Sequence, residues 1–356
     1  MCTQQRNPIY CIIPPHLLRH LAQSEDPKLR ELALRTLSVD ATVRLARATT
    51  SSDSVPANLQ ALAAGTAPAP KRSIYDNQHQ ASLVRNLVRT EGQPPVADQA
   101  VNQAFDGLGA TFDFYWTIFR RNSIDNAGLP MDAYVHFQTG YDNAFWDGHE
   151  MVFGDGNGII FTEFTGALDV IGHELTHGVT GNEANLKYLG QSGALNESIS
   201  DVFGSMIKQY ALKQTTATAD WLIGKGILAK DINGVALRSM KAPGTAYDDP
   251  KLGGKDPQPA NMANYLQTTQ DNGGVHINSG IPNLAFYLVA AALGGNSWDE
   301  AGVIWYDTIR DKSLTSTATF SDFGRLTWKN AGHRYGSTSP QAQAVKDAWN
   351  QVGVVF

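Results

Sequence analysis

The spacing of apolar residues predicts a helix near the start of the chain and a largely helical second half. Asp26 and Pro27 supply a cap and a first helical residue, and apolar side chains then recur at helical intervals from Leu29 to Leu37. After Leu168, helical periodicity dominates the segment around residue 175 and residues 198–212, 281–293, 298–310, 320–331 and 340–352.

Residues 71–158 follow a mixed pattern. A helical stretch covers residues 96–119, short β-branched or aromatic runs such as Ala133–Phe137 predict strands, and glycine turns such as residues 154–158 separate them. The pattern predicts an α+β fold with a β-rich N-terminal lobe and an all-helical C-terminal lobe. The helix around residue 175 is expected between the lobes, at a cleft.

A change in composition separates the start of the chain from its body. Residues 48–70 are rich in Ser, Thr, Ala and Pro without periodicity, as in exposed linkers where proteolytic cleavage concentrates. We therefore predict a small N-terminal unit (1–50), a linker with a processing site (51–70), an N-terminal lobe with the central helix (71–190) and a helical C-terminal lobe (191–356).

The net charge of −6 conceals an asymmetry between these units. Residues 1–50 carry seven Lys or Arg against four Asp or Glu, a net +3, which leaves −9 on the remainder. A basic arm on an acidic body favours docking of one on the other. Because the body carries a net negative charge, nucleic acid is not expected as a partner.

The sequence shows neither the pattern of a membrane-spanning segment nor that of a signal peptide. No run of 18 apolar residues occurs, and the N-terminus lacks the basic start, apolar stretch and cleavage site of a signal peptide. The expected location is therefore either outside the cell by a signal-less route or the cytoplasm. The only two cysteines are Cys2 and Cys11, so the body contains no disulfide.

His173 and His177 suggest a metal site on the central helix. Four residues apart, they project from one face, which suits one zinc ion at about 2.0–2.1 Å, and Glu174 lies beside them as a general base. A chance histidine pair on a surface helix is the alternative. It is disfavoured because the neighbouring residues are apolar enough to bury the helix: Leu168, Val170, Ile171, Leu175 and Val179.

Glu197 and Asp201 are also four residues apart and share a face of the next helix. Glu197 would complete three protein ligands and leave a fourth position open, as in catalytic zinc sites. Asp201 would accept a hydrogen bond from a zinc-binding histidine and so set its tautomer. Acidic residues near a helix start also serve as ordinary caps, and both roles are compatible.

Several segments resemble the thermolysin family of neutral zinc endopeptidases, in order from about residue 71 to the end. They are Asn143–Trp146, HELTHGVTG at 173–181, SGALNESISDVFG at 192–204, LRSM at 237–240 and DNGGVHINSGI at 271–281. The segment Ile12–Leu18 resembles the protealysin-like subgroup, which is made with a short propeptide.

The resemblance implies a role for individual residues. His173, His177 and Glu197 would be zinc ligands, and Glu174 would deprotonate the attacking water. Tyr188 and His276 would donate hydrogen bonds to the oxyanion, with Asp271 orienting His276. Asn143 and the Ala144 carbonyl would hold the substrate as an added strand, and Arg238 would donate to the carbonyl after the scissile bond or act as a structural ion-pair partner.

The resemblance also implies a specificity pocket that accepts a bulky hydrophobic residue just after the cut. Phe164 is bulkier than the branched aliphatic residue usual at its position, which predicts a shallower pocket. Simple core packing is the alternative for Val170. The implied lining is Phe161, Phe164, Val170, Ile223 and Leu237.

The chain departs from the family at its double calcium site. Asp169 and Asp220 match two of the carboxylates, but Lys208 and Lys225 stand where two others are expected. Calcium takes six to eight oxygen ligands, so two ammonium groups should abolish the site. We expect the two lysines to replace calcium by pairing with Asp169 and Asp220.

The N-terminal arm is expected to inhibit the enzyme by lying in the cleft, through Cys11, Pro14, Pro15 and Leu17. A Cys11 thiolate on the open zinc position is one mechanism, and a small buried anchor beside Ile12 and Ile13 is the alternative that we favour.

The predicted protein is thus the zymogen of a monomeric zinc endopeptidase that acts on peptides and proteins, on the N-terminal side of bulky hydrophobic residues. A non-catalytic peptide-binding relative and a zinc exopeptidase are the alternatives.

Overall fold

The computed structural model describes residues 10–49 and 68–356, and gives only the backbone of Tyr10 and of residues 43–49. Cys2 and nearly all of the predicted linker therefore lie outside the described residues. The elements of the first half are β1 (Tyr10–Cys11), α1 (Pro15–Leu21), α2 (Pro27–Thr49), β2 (Arg72–Asp76), β3 (Leu87–Thr90), α3 (Gln99–Phe119), β4 (Met131–Val135), β5 (Ala144–Trp146) and β6 (Glu150–Phe153).

One mixed sheet organises the N-terminal lobe, in the order β1-β5-β6-β4-β2-β3. The pairs β6–β4 and β4–β2 are parallel, and the remaining pairs are antiparallel. The edge strand β1 comes from the N-terminal arm, with Cys11 opposite Phe145. The arm therefore extends the sheet of the body instead of forming a separate layer.

Local signals account for the starts of two helices. Asp26 accepts hydrogen bonds from the backbone N–H groups of Lys28 and Leu29, which caps α2 at the predicted position. Asp98 accepts from Ala100 and Val101 and caps α3, so that helix starts three residues after the predicted position 96.

The helices α4 (Leu168–Glu183) and α5 (Gly190–Ala211) form the centre of the molecule. They pack unusually closely because glycines lie at their contact. A Cβ on Gly204 would lie 2.4 Å from the Asp169 carbonyl oxygen, and one on Gly172 would lie 2.8 Å from Ile207 Cδ1. This close approach brings side chains of α4 within reach of those of α5.

Helix α5 begins eight residues before the predicted position 198. The sequence Gly190–Gly193 has the composition of a loop, but tertiary packing favours helix here. Gly193 lies against Val275, where a Cβ would approach Val275 Cγ1 to 2.5 Å. Helix propensity is a weak prior that such packing overrides.

The C-terminal lobe is helical, as predicted, and its helices enclose a core that includes Trp221, Trp305 and Trp349. Two short ladders of two-residue strands accompany the helices. The elements are β7 (Leu222–Ile223), β8 (Arg238–Ser239), β9 (Asp248–Asp249), β10 (Gly254–Lys255), α6 (Asp271–Asn278), α7 (Gly280–Leu293), α8 (Ala301–Arg310), α9 (Phe320–Tyr335) and α10 (Pro340–Gln351).

The fold class is confirmed: a mixed-sheet N-terminal domain and a helical C-terminal domain meet at the central helix pair. Among the described residues, no helix combines the length and apolar character needed to cross a membrane.

Candidate functional site

Two histidines of α4 and one glutamate of α5 converge between the lobes. The Nε2 atoms of His173 and His177 are 3.0 Å apart. Glu197 Oε2 lies 3.5 Å from His173 Nε2, and Glu197 Oε1 lies 3.5 Å from His177 Nε2. All three side chains are buried. The i, i+4 spacing on α4 and the glycine contact between α4 and α5 together produce this convergence.

Hydrogen bonds on the far side of each ring direct Nε2 to the centre of the cluster. Asp201 Oδ1 lies 2.8 Å from His173 Nδ1, and Asn196 Oδ1 lies 2.9 Å from His177 Nδ1. Such partners fix the tautomer of metal-binding histidines. The sequence identified Asp201 but missed Asn196. The local signal for a role of Asn196 was its position, directly before Glu197 and one helical turn before Ser200.

Asp201 is held in turn by two residues of the C-terminal lobe. Arg238 donates to both carboxylate oxygens at 2.8 Å, and Asn283 donates to Oδ2 at 2.8 Å. Burial opposes ionisation of Asp201, but Arg238 and His173 outweigh it and hold its pKa below the usual range. Arg238 thus serves in the ion pair that was the alternative to a substrate contact. Asn283 was missed, since a lone asparagine in an apolar helix has no local signal.

The donor set fits a divalent zinc ion. Two imidazole nitrogens and a carboxylate face one point, and their ligand atoms lie within 4.8 Å of one another. Glu197 Oε2 and Glu174 Oε1 are buried without a hydrogen-bond partner among the described residues. A buried carboxylate oxygen without a partner is costly, so this arrangement calls for a cation at the cluster.

Glu174 points into the same cavity without joining the three-residue cluster. Its Oε2 accepts a hydrogen bond from the backbone N–H of Trp146 at 3.2 Å. Burial, and next the nearby Glu197 carboxylate, raise the pKa of Glu174 well above its usual value. Glu174 is therefore a buried carboxyl group placed beside the three metal-ligand side chains without being one of them.

Tyr188 and His276 form a wall of the site next to Glu197. The Tyr188 hydroxyl donates to Glu197 Oε1 and lies 3.2 Å from His276 Nε2. Asp271 Oδ1 lies 2.7 Å from His276 Nδ1, and its other oxygen accepts from the His276 backbone N–H. Burial would lower the pKa of His276, but Asp271 and Glu197 raise it to about 9.

The N-terminal arm crosses this wall as an extended strand. The Cys11 carbonyl oxygen lies 3.1 Å from His276 Nε2, and Arg238 donates to the Ile12 carbonyl oxygen at 3.1 Å. The backbone N–H of Ile12 donates to the Ala144 carbonyl oxygen at 3.3 Å. The N–H of Ile13 donates to Asn143 Oδ1 at 3.1 Å. Four backbone groups of residues 11–13 are thus bonded to the residues expected to hold substrate.

Alternation along the extended segment of the arm sends the side chains of Cys11 and Ile12 to different apolar clusters. Cys11 lies in a small cluster with Phe145 and Val152, on the sheet. Ile12 belongs to the main core, together with every residue of the predicted specificity pocket: Phe161, Phe164, Val170, Ile223 and Leu237. Within the described residues, the buried metal-ligand group comprises His173, His177 and Glu197, without Cys11.

After Ile13 the arm leaves the metal-ligand cluster and contacts both lobes. Pro14 and Pro15 are buried, and Pro15 opens α1, which buries Leu17. His20 of α1 lies 2.9 Å from the Pro250 carbonyl oxygen in the C-terminal lobe. Asp40 of α2 contacts Tyr141 and Asn143 in the N-terminal lobe.

The residues that match the family's calcium site form ion pairs. Lys208 Nζ lies 2.8 Å from Asp169 Oδ2 and 3.1 Å from Asp220 Oδ1. Lys225 Nζ lies 3.3 Å from Asp220 Oδ2. Lys208 therefore bridges the two carboxylates, and Lys225 contacts Asp220 alone.

A buried His-Glu-x-x-His helix with a glutamate from a second helix defines a zinc metallopeptidase. Residues 50–181 match the family model of the thermolysin metallopeptidase catalytic domain, and residues 184–354 match that of its alpha-helical domain. The chain belongs to the thermolysin family and is a zinc-dependent peptidase.

Relatives match nearly the whole chain. An extracellular metalloprotease of Pectobacterium carotovorum subsp. carotovorum is 52% identical over 347 residues, 98% of this chain and 97% of that protein. An extracellular minor metalloprotease of Serratia marcescens is 40% identical over 351 residues, 95% of this chain and 92% of that protein. The solved precursor of protealysin, a metalloproteinase from Serratia proteamaculans, is 52% identical with a TM-score of 0.87, covering 97% of this chain and 100% of that one. Similarity to a precursor over this length identifies the chain as a zymogen.

The predicted location is wrong. A signal-less route or the cytoplasm was expected, but relatives named extracellular metalloproteases point away from a purely cytoplasmic placement. The physical reason is that a missing apolar leader pattern carries no information about the compartment.

Proposed function

We propose that this zymogen yields an endopeptidase that cleaves on the N-terminal side of bulky hydrophobic residues, and that its arm inhibits by lying in the substrate register. The observation that carries the proposal is the set of four backbone hydrogen bonds of Cys11, Ile12 and Ile13. An extended chain bound through backbone groups on both sides of one peptide bond is the geometry that an endopeptidase requires.

The register of the arm supports one position for the scissile bond. A carbonyl near the oxyanion donors precedes that bond, and the carbonyl on Arg238 follows it. The bond between Cys11 and Ile12 therefore occupies the scissile position, with Ile12 as the first residue after the cut. The branched apolar side chain of Ile12 at this position supports a preference for bulky hydrophobic residues.

His173, His177 and Glu197 would hold the zinc ion. When bound, zinc supplies a Lewis acid that lowers the pKa of water toward neutrality and polarises a carbonyl. Glu174 takes the proton of the attacking water and passes that proton to the leaving amine, and its position beside the three ligands supports this role.

His276 and Tyr188 donate hydrogen bonds to the negative charge that develops on the carbonyl oxygen. Asp271 favours the protonated, donating form of His276. Removing one such donor typically lowers kcat by about 10²–10³-fold. Asn143, Ala144 and Arg238 hold the substrate backbone, so their loss should raise KM as well.

The units 1–50, 51–70, 71–190 and 191–356 are proposed as inhibitory propeptide, processed linker and the two catalytic lobes. Cys11 acts through its carbonyl and as a buried anchor, not as a zinc ligand. Pro14, Pro15 and Leu17 end the bound strand and begin α1, so the arm leaves the cleft after Ile13.

A peptide blocked at both ends, with one internal bond before leucine, tests the proposal. The processed enzyme should cleave it at that bond. The Glu174→Ala variant should retain one zinc at this cluster and show no cleavage. Release of terminal residues only, from unblocked peptides, would indicate an exopeptidase. Binding without any cleavage by the wild type would indicate a non-catalytic relative. Either result would overturn the proposal.

A further inference from the structure

A second group of histidine and aspartate side chains lies away from the catalytic cluster, at one edge of the main sheet. The parallel strands β2, β4 and β6 end at Asp76, Val135 and Phe153. Within three residues of those ends come His79, His136 and Asp155, respectively. Because the carboxyl ends of parallel neighbours meet at one edge, the topology gathers these three side chains.

The three side chains are close enough to share one ion. His136 Nδ1 lies 2.9 Å from Asp155 Oδ1, and His79 Nδ1 lies 3.4 Å from Asp155 Oδ2. One ligand atom from each residue lies within 4.8 Å of the others. In a tetrahedral site with bonds of about 2.0–2.2 Å, ligand atoms lie about 3.4 Å apart, so small rotations of the side chains suffice.

A carboxylate behind His136 reproduces the arrangement seen at His173. Asp98 Oδ2 lies 2.8 Å from His136 Nε2, on the opposite side of the ring from Asp155. A hydrogen bond from Nε2–H to Asp98 leaves the Nδ1 lone pair directed at His79 and Asp155. Carboxylate partners of this kind orient metal-binding histidines and raise their basicity.

The backbone of both histidine segments is held in an unfavourable conformation. His79 has φ 55° and His136 has φ 54°, in the left-handed region that non-glycine residues seldom occupy. The His79 N–H donates to the His136 carbonyl oxygen at 2.9 Å, which ties the two segments together. Conformations of this kind persist where surrounding contacts hold them, and they cluster at functional sites.

We propose that His79, His136 and Asp155 form a second metal site that binds a divalent transition-metal ion of the zinc class. Two imidazole nitrogens and one carboxylate oxygen are donors that this class accepts, with water completing the coordination. His79 is more than half exposed, so the site is open to solvent. Its ligands share no residue with the catalytic cluster or with the lysine pairs.

A bound ion would stabilise the loop that leads into the substrate-binding edge. The chain runs from His136 to Asn143 in seven residues, and Gly154 N–H donates to the Asn143 carbonyl oxygen at 3.0 Å beside Asp155. The ion would join the ends of three strands around this loop. The site is therefore structural, and its loss should leave catalysis itself nearly unchanged.

A proton on His136 is the alternative to a metal ion bound by these three residues. The hydrogen bond to Asp155, followed by that to Asp98, raises the pKa of His136 to about 9 against the effect of burial. The same geometry thus also suits an imidazolium between two carboxylates, and the experiment must separate the two.

The zinc content of the full-length chain distinguishes a bound metal ion from a protonated His136. After dialysis at mildly alkaline pH, the wild type should retain two zinc ions per chain. His79→Asn and His136→Asn should each retain one, because asparagine tolerates left-handed backbone but removes a ligand. The exposed His149→Ala is the matched control and should retain two.

Zinc titration of the same chains, with the catalytic cluster already filled, measures the second site alone. Asp98→Asn keeps a good cap on α3 while removing the carboxylate, and should weaken zinc binding about 10–100-fold. One zinc in the wild type, or an unchanged content and affinity in all four variants, would overturn the proposal and leave a proton-bridged ion pair.

Discussion

Asp40 of α2 accepts a hydrogen bond from the Asn143 side-chain amide at 3.0 Å, and its other oxygen accepts one from the Tyr141 hydroxyl at 2.5 Å. The first bond fixes the orientation of the amide, so Asn143 Oδ1 faces the backbone N–H of Ile13. One residue of the body thereby joins the helix and the strand of the arm. Docking of α2 and occupation of the cleft are coupled through it.

Asp40→Ala should therefore weaken the latent state. A hydrogen bond to a buried carboxylate contributes about 1.5–3 kcal/mol, so the loss of even one should raise the activity of the uncut chain by about 10–100-fold. Hydrolysis of a blocked peptide by freshly purified, intact chain measures this. Glu31→Ala, on the exposed face of the same helix, should change little. Equal latency of the two variants would remove Asp40 from the mechanism.

Ile12→Asp should release the arm more completely. The substitution places a carboxylate in the apolar core, at a cost of several kcal/mol if the strand stays bound. The uncut variant should be active at once, whereas Ile12→Leu should remain latent. A latent Ile12→Asp chain would show that residues 11–13 do not block the cleft.

Acid should loosen the arm through His16. Burial lowers the pKa of His16 to about 4, while an exposed arm would have the ordinary value of 6.5. The released form thus binds a proton that the docked form excludes. Docking is at full strength above pH 6.5 and weakens about tenfold per unit as the pH falls toward 4. The charged or polar groups that face His16 are Tyr247, Asp271, His276, Arg19 and Arg238.

Hydrogen-exchange protection of the Ile12 and Ile13 amides, in the inactive Glu174→Ala background, measures this docking without interference from catalysis. Protection should decline between pH 6.5 and 5 in this chain. His16→Phe should flatten the decline, since it removes the titrating group. An identical decline in both chains would assign the effect to other groups.

Lys208 should be required for stability in place of calcium. Lys208→Met leaves the buried Asp169 carboxylate without its cation, which should cost about 3–5 kcal/mol in urea unfolding of the zinc-loaded chain. Lys225→Met removes a mostly exposed lysine and should cost under about 1 kcal/mol. Millimolar calcium should leave wild-type unfolding unchanged. Tightly bound calcium at Asp169 and Asp220 would contradict the replacement.

Local sequence motifs located the catalytic helix pair. The four-residue spacings of His173 with His177 and of Glu197 with Asp201 are local, and helix geometry converts them directly into shared faces. The cap at Asp26 is local too. The fold class followed from the same patterns, because the mixed first half and helical second half differ in period.

Contacts between distant segments were beyond such reasoning. Asn283 joins the site only through tertiary packing, and the two-residue strand β1 has no periodic signal of its own. A strand this short forms because it pairs with β5 at the edge of the sheet and because residues of the cleft form hydrogen bonds with the backbone of the arm. The sequence left two roles for the Cys11 side chain, with the buried anchor favoured, but gave no sign that the Cys11 carbonyl oxygen contacts His276.

The most direct test follows the mass and the activity of the purified full-length chain over time, wild type beside Glu174→Ala. The account predicts an initially inactive wild type that loses its arm by a cut within residues 48–70 and gains activity in step with the loss. The Glu174→Ala chain should stay intact. Full activity of the wild type while its arm is still attached, or loss of the arm at the same rate in Glu174→Ala, would contradict the account.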